Sequence, residues 1–593
     1  MKTRAFDIET LINCFTVVFV NCEDESEIDR FVLHESRDDS KSLLEFMDSL
    51  GLDDTLVGYN SLNFDMPVLY RVCDLIRSNH PVSNVIRESY LMAQSLITED
   101  VRPKYPVTLF NHIDLFKLYH FDNEAKRTSL KWIQCHLDME NVQDMPHPHD
   151  VPASSSQIEM ILSYNLNDVR ATVKMYNHRK TAELLELRQW AMYKYGLKTG
   201  VNTSNSHMGE MIFMSKLGDI PPPDKSSRRI NIRNLILPII SFQTPVFQKA
   251  LERFQKMSFN SSDERPKMSF DAVFKGMKYS FGLGGIHAAK TESENENVES
   301  IDVKSFYPNV AISFGFYPKH AGEAFVTAYK ELYADRLSAT STVANLGIKE
   351  ALNSVFGKSN SEFSPLYYPE FTYSITINGQ LLMTMLAERL SQAGEVIMVN
   401  TDGMEVIVKD NDRFTAILED WKKLTGMTVT RSRYKKLFIR DVNNYIGILE
   451  NGKTKTKGCY EVDKEFNKDP SGSILPISVL RYYLKGISIE DTILNHQDMS
   501  DFYMFKRAKT GKLTAVTGNG QKEVNLPKTI RYVASKKGLI LFQKTESMNA
   551  KVHADCYITV INDLKDASYE LDRNWYIREA KKLLIQQKTD LFS

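Results

Sequence analysis

Apolar runs that stop at a carboxylate recur along this chain. Near the start, A-F-D-I-E-T sets Asp7 and Glu9 two apart, so on a strand both side chains share a face. The C-F-T-V-V-F-V run from Cys14 is too short to span a membrane and follows acids rather than the positive charge of a leader, so it predicts a buried strand. Another apolar approach, Thr55 to Gly58, leads into G-Y-N-S-L-N-F-D with Asn60, Phe64 and Asp65, and N-H-I-D-L-F ends a strand-like run at Asp114. From about Gln157 past Tyr176 the pattern becomes helical, with Tyr164 and Asp168 four apart on one face, and it stays helical to about Tyr195. P-P-P-D from Pro221 breaks any helix and marks a boundary, while residues 225–275 carry little pattern.

The second half repeats the theme. Y-S-F-G-L-G-G-I-H predicts either a glycine-rich hairpin turn or a backbone able to approach a phosphate, with Tyr279 or Phe281 within reach of a base. The polar run Glu292 to Glu299 predicts a solvated surface turn. I-D-V-K-S-F-Y-P then ends an apolar run at Asp302, and V-N-T-D-G ends another at Asp402. Between them, Ala324 to Phe356 predicts two helices separated by S-A-T-S-T, the second carrying Lys349, Asn353 and Phe356 on one stripe. Two carboxylates for divalent metals and a cation for the leaving phosphates are the equipment of phosphoryl transfer.

At 593 residues the chain is too long for one core and suggests three to five domains. A composition 42% hydrophobic and 25% charged is that of an ordinary soluble protein. The net charge of -1 argues against a nucleic-acid binder until its distribution is followed. Lys422 to Lys457 holds ten Lys/Arg against Asp441 and Glu450, and Lys506 to Lys544 holds ten against Glu523, whereas E-D-E-S-E lies at Glu23 to Glu27. Interleaved with Tyr434, Phe438, Tyr445, Tyr503, Phe505 and Tyr532, the basic runs predict either a phosphate-backbone track or solvated charged faces. Six cysteines without a C-x-x-C pair predict a reducing compartment, the cytoplasm, and no zinc or iron-sulfur site. A P-loop is excluded, since T-G-K-L at Thr510 lacks the distal glycine and the Ser/Thr.

In this order, D-x-x-S-F-Y-P, K-x-x-x-N-S-x-F-G and T-D-G resemble the three polymerase motifs of the family B DNA polymerases, particularly the compact kind found in phages. The resemblance implies an α/β multidomain fold: a ribonuclease-H-like 3'-5' exonuclease domain (1–195), a connector with a template-binding loop (196–300), palm (301–318 and 376–465), fingers (319–375) and thumb (466–593). It implies that Asp302 and Asp402 ligate metals and that the backbone beside Val303 helps bind the triphosphate. Tyr307 becomes a steric gate under the sugar, Lys349 the group that neutralises or protonates the pyrophosphate, and Arg336 a second phosphate contact. Asn353 and Phe356 would meet the nascent base pair, with Gly357 allowing close approach. Gly284 and Gly285 match a Tyr-x-Gly-Gly loop that holds the template. Tyr445 matches the tyrosine of a K-K-x-Y element that grips the primer, with Asn443 and Asn444 where lysines would be and Lys453, Lys455 and Lys457 as substitutes. One departure is Asn400, where the family's third motif usually has an aspartate.

The N-terminal acids, in their order, resemble a DEDD-type exonuclease in its tyrosine-bearing form, which implies that Asp7, Glu9, Asp65 and Asp168 hold two metals while Tyr164 orients the water. In R-T-S-L-K-W-I, Ser129, Leu130 and Ile133 match an element that contacts single-stranded DNA, with Asn60 assisting and Phe64 stacking on a base; equally, Thr128 or Ser129 caps a helix there. Asp114 is expected to be structural or supporting. Hard oxygen ligands suit Mg2+, two per site, and Mn2+ as well. The expected function is template-directed DNA synthesis from a primer 3'-hydroxyl with proofreading, replicating phage DNA in the cytoplasm of an infected host. The expected partners are primer-template DNA, single-stranded 3' ends and deoxynucleoside triphosphates. The interval from Asp302 to Lys349 leaves no room for the inserted subdomain of protein-primed phage polymerases, which argues against a terminal protein and strong strand displacement and toward a helicase or clamp. Two alternatives stand beside this: a 3'-5' exonuclease whose polymerase half has degenerated, for which Asn400 speaks, and a non-catalytic nucleic-acid-binding scaffold, which would not need two carboxylate sets. A reverse transcriptase would carry paired aspartates at the third motif.

Overall fold

In the computed structural model, which describes residues 2–98, 109–198, 200–262, 269–508, 510–517, 523–565 and 568–586, the predicted buried strand at Cys14 is half of a hairpin. Thr3–Leu11 pairs antiparallel with Cys14–Asn21, whose every residue is buried. Thr3–Leu11 also pairs parallel with Thr55–Gly58, which pairs parallel with Asn111–Asp114. Ile28–His34 and Arg37–Asp38 complete the far edge of this six-stranded sheet. Helices cover it because its strands are apolar on both faces. One of them, Ile158–Tyr176, packs its buried face on the first two strands. The helical pattern expected to about Tyr195 runs as two helices, the second at Arg179–Tyr195, and between them the Asn177 side chain donates to the Cys22 carbonyl at 2.8 Å.

The chain forms two compact units: Met1–Glu186, Gly200–Ser204 and Val462–Lys582 make the first, and Leu187–Thr199, Asn205–Glu461 and the stretch from Leu583 make the second. Val462–Lys582 adds to the first unit a seven-stranded antiparallel sheet between Met504 and Val560 with helices Ile474–Lys485, Ile489–Asn495 and Arg573–Lys581. Phe466 enters the same core as Leu115, Ile133 and Ile161. Arg531 does not serve on the predicted phosphate track: it is fully buried and donates to the carbonyls of Met139, Glu140, Ile561 and Asn562. Lys509 and Lys522 of that basic stretch, and the expected thumb beyond residue 586, lie outside the described residues.

The second unit is built on a nine-stranded antiparallel sheet. Its central strands are Ser293–Val303, Gly403–Val408 and Gly394–Asn400, with Val429–Asp441 on one side and Ile286–Ala289 on the other. The expected turn at Glu292 to Glu299 is therefore strand from Ser293 on, with Glu292 (φ 52°) and Asn297 (φ 54°) in left-handed backbone. Its polarity has a physical origin in the next strand. Lys436 pairs with Glu296 at 3.0 Å and Glu294 at 3.7 Å, and Arg431 pairs with Glu299 at 3.2 Å, so acidic strand answers basic strand. Beneath the sheet runs the helix Pro369–Leu390, buried along almost its whole length and crossing the 375/376 boundary drawn from sequence. Its buried polar side chains fix the segment that carries little sequence pattern: Asn378 bonds Leu237 N and Leu235 O, and Glu388 accepts from Gln243 N and Thr244 N. No helix among the described residues is long and apolar enough to cross a membrane.

Two candidate active centres

Strand geometry brings the first acids together. Asp7 and Glu9 point to one face of Thr3–Leu11, opposite Val18 and Thr16, and Asp168 reaches them from the helix Ile158–Tyr176. Ligand atoms of Asp7, Glu9 and Asp168 lie within 4.8 Å of one another. Asp65 begins the helix Asp65–Arg77 and accepts from the Ile8 N–H at 3.3 Å, which seats it beside this triad rather than within it. All four line a cleft of about 330 Å³ with Asn60, Phe64 and Leu130. Burial, then repulsion from the neighbouring acids, holds Asp7 well above the usual carboxylate range. Burial, then Asp168, pushes Glu9 up to about 8, and burial pushes Asp65 up to about 7. Acids that resist ionisation side by side are suited to bind divalent cations, whose charge removes the penalty.

Three residues of this centre carried no sequence signal. Lys131 donates to both oxygens of Asp168 at 2.5 and 2.7 Å and lies 4.2 Å from the centroid of the Tyr164 ring. Gln134 donates to Asp168 Oδ1 at 2.7 Å, and Asn165 to Asp7 Oδ2 at 2.8 Å. Only the i, i+3 spacing of Lys131 and Gln134 on the helix Leu130–His136 could have linked them. Ser129 caps that helix, accepting from Trp132 N at 3.3 Å, while Leu130 faces the cleft and Ile133 is buried in the core. Asp114 is structural: its carboxylate accepts from the N–H groups of Asn60, Leu62 and Phe116, each at 2.9 Å.

In the second unit, Asp302 lies on Ser293–Val303, directly opposite Gly403, so that Asp402 in the two-residue turn before Gly403 becomes its neighbour. A Cβ at Gly403 would sit 3.0 Å from the Ile301 carbonyl, so glycine keeps that approach open. Asn400 shapes the turn, its Oδ1 accepting from Thr401 N at 3.0 Å. Burial raises both acids above the usual range, Asp402 further raises Asp302, and the charges of Lys455 and Lys349 pull both down. Behind them Glu405 is pushed up to about 7 by burial, against the pull of the Ser300 hydroxyl and of Lys455.

Lys349 and Asn353 share the exposed face of the helix Thr342–Lys358, with Phe356 half-buried on the same stripe. Phe356 meets Tyr307 edge-on, with ring centroids 4.8 Å apart, and the Tyr307 hydroxyl donates to the Gly284 carbonyl. Of the glycines in that loop only Gly285 is sterically required, a Cβ there falling 2.6 Å from Thr401 Oγ1. Arg336 donates to Ser305 Oγ, and both line a cleft of about 280 Å³ with Asp302, Lys304, Tyr333 and Asn345.

The Val303 N–H donates to the Asp402 carbonyl at 2.8 Å. Two expectations change here. Tyr279 and Phe281 are buried against Phe247 and Phe254 and do not face a base. Tyr445 is 6% exposed, with the Lys455 ammonium 5.9 Å from the centroid of its ring, whereas Lys457 is exposed and lies 3.7 Å from Glu461.

Residues 5–180 match the model of a family of the RNase H superfamily. The first sheet and its acids thus form an RNase H-like domain, a fold that typically works with divalent metals. Among solved structures, the chain aligns with the family B DNA polymerase from the hyperthermophilic archaeon Pyrobaculum calidifontis at 14% identity and a TM-score of 0.45, over 99% of this chain and 78% of that one. No curated protein matches.

Proposed function

We propose that this chain is a DNA-directed DNA polymerase with 3'-5' exonuclease activity, acting on primer-template DNA with deoxynucleoside triphosphates. The observation that carries the reading is the neighbouring pair Asp302 and Asp402 at the tip of an antiparallel sheet, under the charge of Lys349, in a chain with a separate acidic triad in an RNase H-like domain. A binding scaffold has no use for two sets of acids whose ionisation is opposed by burial.

Two bound Mg2+ ions would polarise the attacking oxygen and take up charge on the leaving oxygen at each centre. At the second centre Asp302 and Asp402 hold the ions, and Lys349 and Arg336 face the triphosphate. With the Val303 N–H engaged, the backbone donors left for phosphate are those opening the helix Phe306–Phe314. Tyr307, fixed by Gly284 and Phe356, closes the space beneath the sugar to a 2'-hydroxyl. On this reading residues 301–318 and 376–465 act as palm, 319–375 as fingers and 466–593 as thumb. At the first centre Asp7, Glu9 and Asp168 hold the ions with Asp65 beside them, Tyr164 orients water, and Phe64, Asn60 and Leu130 receive the frayed strand. Lys131 holds Asp168 in place through both carboxylate oxygens.

The test is a primer-extension gel on a recessed, 5'-labelled DNA primer with magnesium, with and without the four deoxynucleotides, beside Asp302→Ala and Asp7→Ala. Growth abolished by Asp302→Ala, and shortening abolished by Asp7→Ala, are the expected results. Shortening under every condition with no growth, even with manganese, would replace the reading by a nuclease with a degenerate polymerase half.

A further inference from the structure

One residue lining the first cleft takes no part in the chemistry proposed for it. His149, in the segment H-P-H-D, borders the same cleft as Asp7, Glu9, Asp65 and Asp168, yet belongs to none of the strands or helices that carry those acids. Two contacts tie it to the end of Thr3–Leu11. Its carbonyl accepts from the Ile12 N–H at 2.9 Å, and its Nδ1 lies 3.0 Å from the carbonyl oxygen of Thr10, the residue after Glu9. The rest of the segment is laced to the same corner: Asn13 and Ala153 exchange hydrogen bonds of 2.9 and 2.8 Å, and His147 is bonded to the Val151 carbonyl at 3.0 Å.

The Thr10 carbonyl can only accept, so Nδ1 carries the proton, and in the neutral ring Nε2 is left as an acceptor. Among the described residues Nε2 has no hydrogen-bond partner, and the residue is exposed. It does not join the metal-binding acids either, since the group of ligand atoms within 4.8 Å of one another holds only Asp7, Glu9 and Asp168. The acceptor is therefore left for the nucleic acid. A DNA strand has few donors to offer: its phosphates only accept and deoxyribose lacks the 2'-hydroxyl, which leaves the N–H groups of the bases and the hydroxyl at the 3' end. Phe64, Ile97 and Leu130 supply apolar lining for the bases, whereas His149 is joined to the strand that bears Asp7 and Glu9, beside the bond to be cut.

We propose that His149 is a specificity-determining residue of the first centre, its Nε2 accepting a hydrogen bond from the free 3'-hydroxyl of the last nucleotide. This rests on the reading of that centre as a 3'-5' exonuclease. The contact makes the centre prefer a hydroxyl-terminated chain end to one that lacks the hydroxyl.

The experiment gives the full chain, with magnesium, two 5'-labelled single strands of one sequence, one ending in a 3'-hydroxyl and the other in a 2',3'-dideoxynucleotide, and reads the first cleavage. The wild type is expected to favour the hydroxyl end roughly tenfold in kcat/KM, as one neutral hydrogen bond allows. Asparagine places an amide at the position of Nδ1 and nothing at Nε2, so His149→Asn keeps the tie to Thr10 and should cut both ends alike. Glutamine places its amide at the position of Nε2, so His149→Gln should keep part of the preference with the tie lost. A role confined to anchoring the segment predicts the opposite order. A wild-type ratio near one, or a ratio kept by His149→Asn, would overturn the proposal; should His149→Asn fail to fold, a preference kept by His149→Gln supports it and its loss overturns it. Anisotropy of the same strands in metal-free buffer separates the two claims. Tighter binding of the hydroxyl end, lost in His149→Asn, with no shortening by the wild type would sink the exonuclease reading alone, whereas shortening of both ends at one rate would sink the role of His149 alone.

Discussion

Asp168 takes hydrogen bonds from Lys131 and Gln134 at once, so its orientation is set before any metal arrives. Replacing Gln134 by alanine should therefore raise the magnesium needed for half-maximal exonuclease rate by about 10- to 100-fold, as is usual when the partner of a metal ligand is removed. Titration of the shortening rate with magnesium checks this, and an unchanged midpoint would contradict it. At the second centre, Tyr307→Ala should admit ribonucleotides while leaving extension with deoxynucleotides measurable, read as ribonucleotide incorporation on the same template. The acids stood out in the sequence as ordered sets and not singly, since Asp114 also closes an apolar run and serves as a helix cap. Lys131 and Gln134 did not, since a lysine and a glutamine one helical turn apart look in sequence like any solvated pair, although Gln134 is fully buried.

At the scale of elements, periodicity found the strands at Thr3–Leu11 and Cys14–Asn21, the helix with Tyr164 and Asp168, and the pair of helices before Gly357. It failed at Ser293–Val303, where cross-strand ion pairs let a polar sequence run as strand, and between Leu235 and Thr244, which Asn378 and Glu388 hold from a distant helix. Long-range partners of this kind leave no local signature. The seat of the Lys349 helix is another such case. A Cβ at Gly347 would lie 2.1 Å from the Trp190 ring, so Gly347→Ala must push helix and indole apart. We expect a loss of about 1–3 kcal/mol in stability, the usual cost of overpacking, and slower extension because Lys349 moves with its helix. A melting curve identical to that of the wild type would show that the indole yields freely.

For the whole molecule, the buried acids of the first unit make stability depend on pH. Glu9, at about 8 in the fold against an ordinary 4.5, and Asp65, at about 7 against 3.8, keep protons in the native state that the unfolded chain has already released. The unfolded state then binds fewer protons, so stability is greatest below about pH 4 as far as these groups are concerned and is lost as pH rises through 7 to 8. Scanning calorimetry of metal-free protein should show the melting temperature falling between pH 5 and pH 8, and magnesium should restore more of it at pH 8, where the carboxylates it binds are free of protons. A melting temperature independent of pH, with or without the ion, would contradict the burial of these acids.

The pairing of an acidic strand with a basic one has a consequence for how this chain would answer to ionic strength. Each DNA phosphate neutralised by a free cationic side chain releases counterions and steepens the fall of log K with log salt by about 0.9. Arg431 and Lys436 are already matched by Glu299, Glu294 and Glu296 before any nucleic acid arrives, and Arg531 is sealed inside the fold. Few ions are condensed there to be set free. Affinity for primer-template should then decline with salt more gently than the tally of lysines and arginines suggests, and Glu296→Gln, by unmasking Lys436, should make the decline steeper.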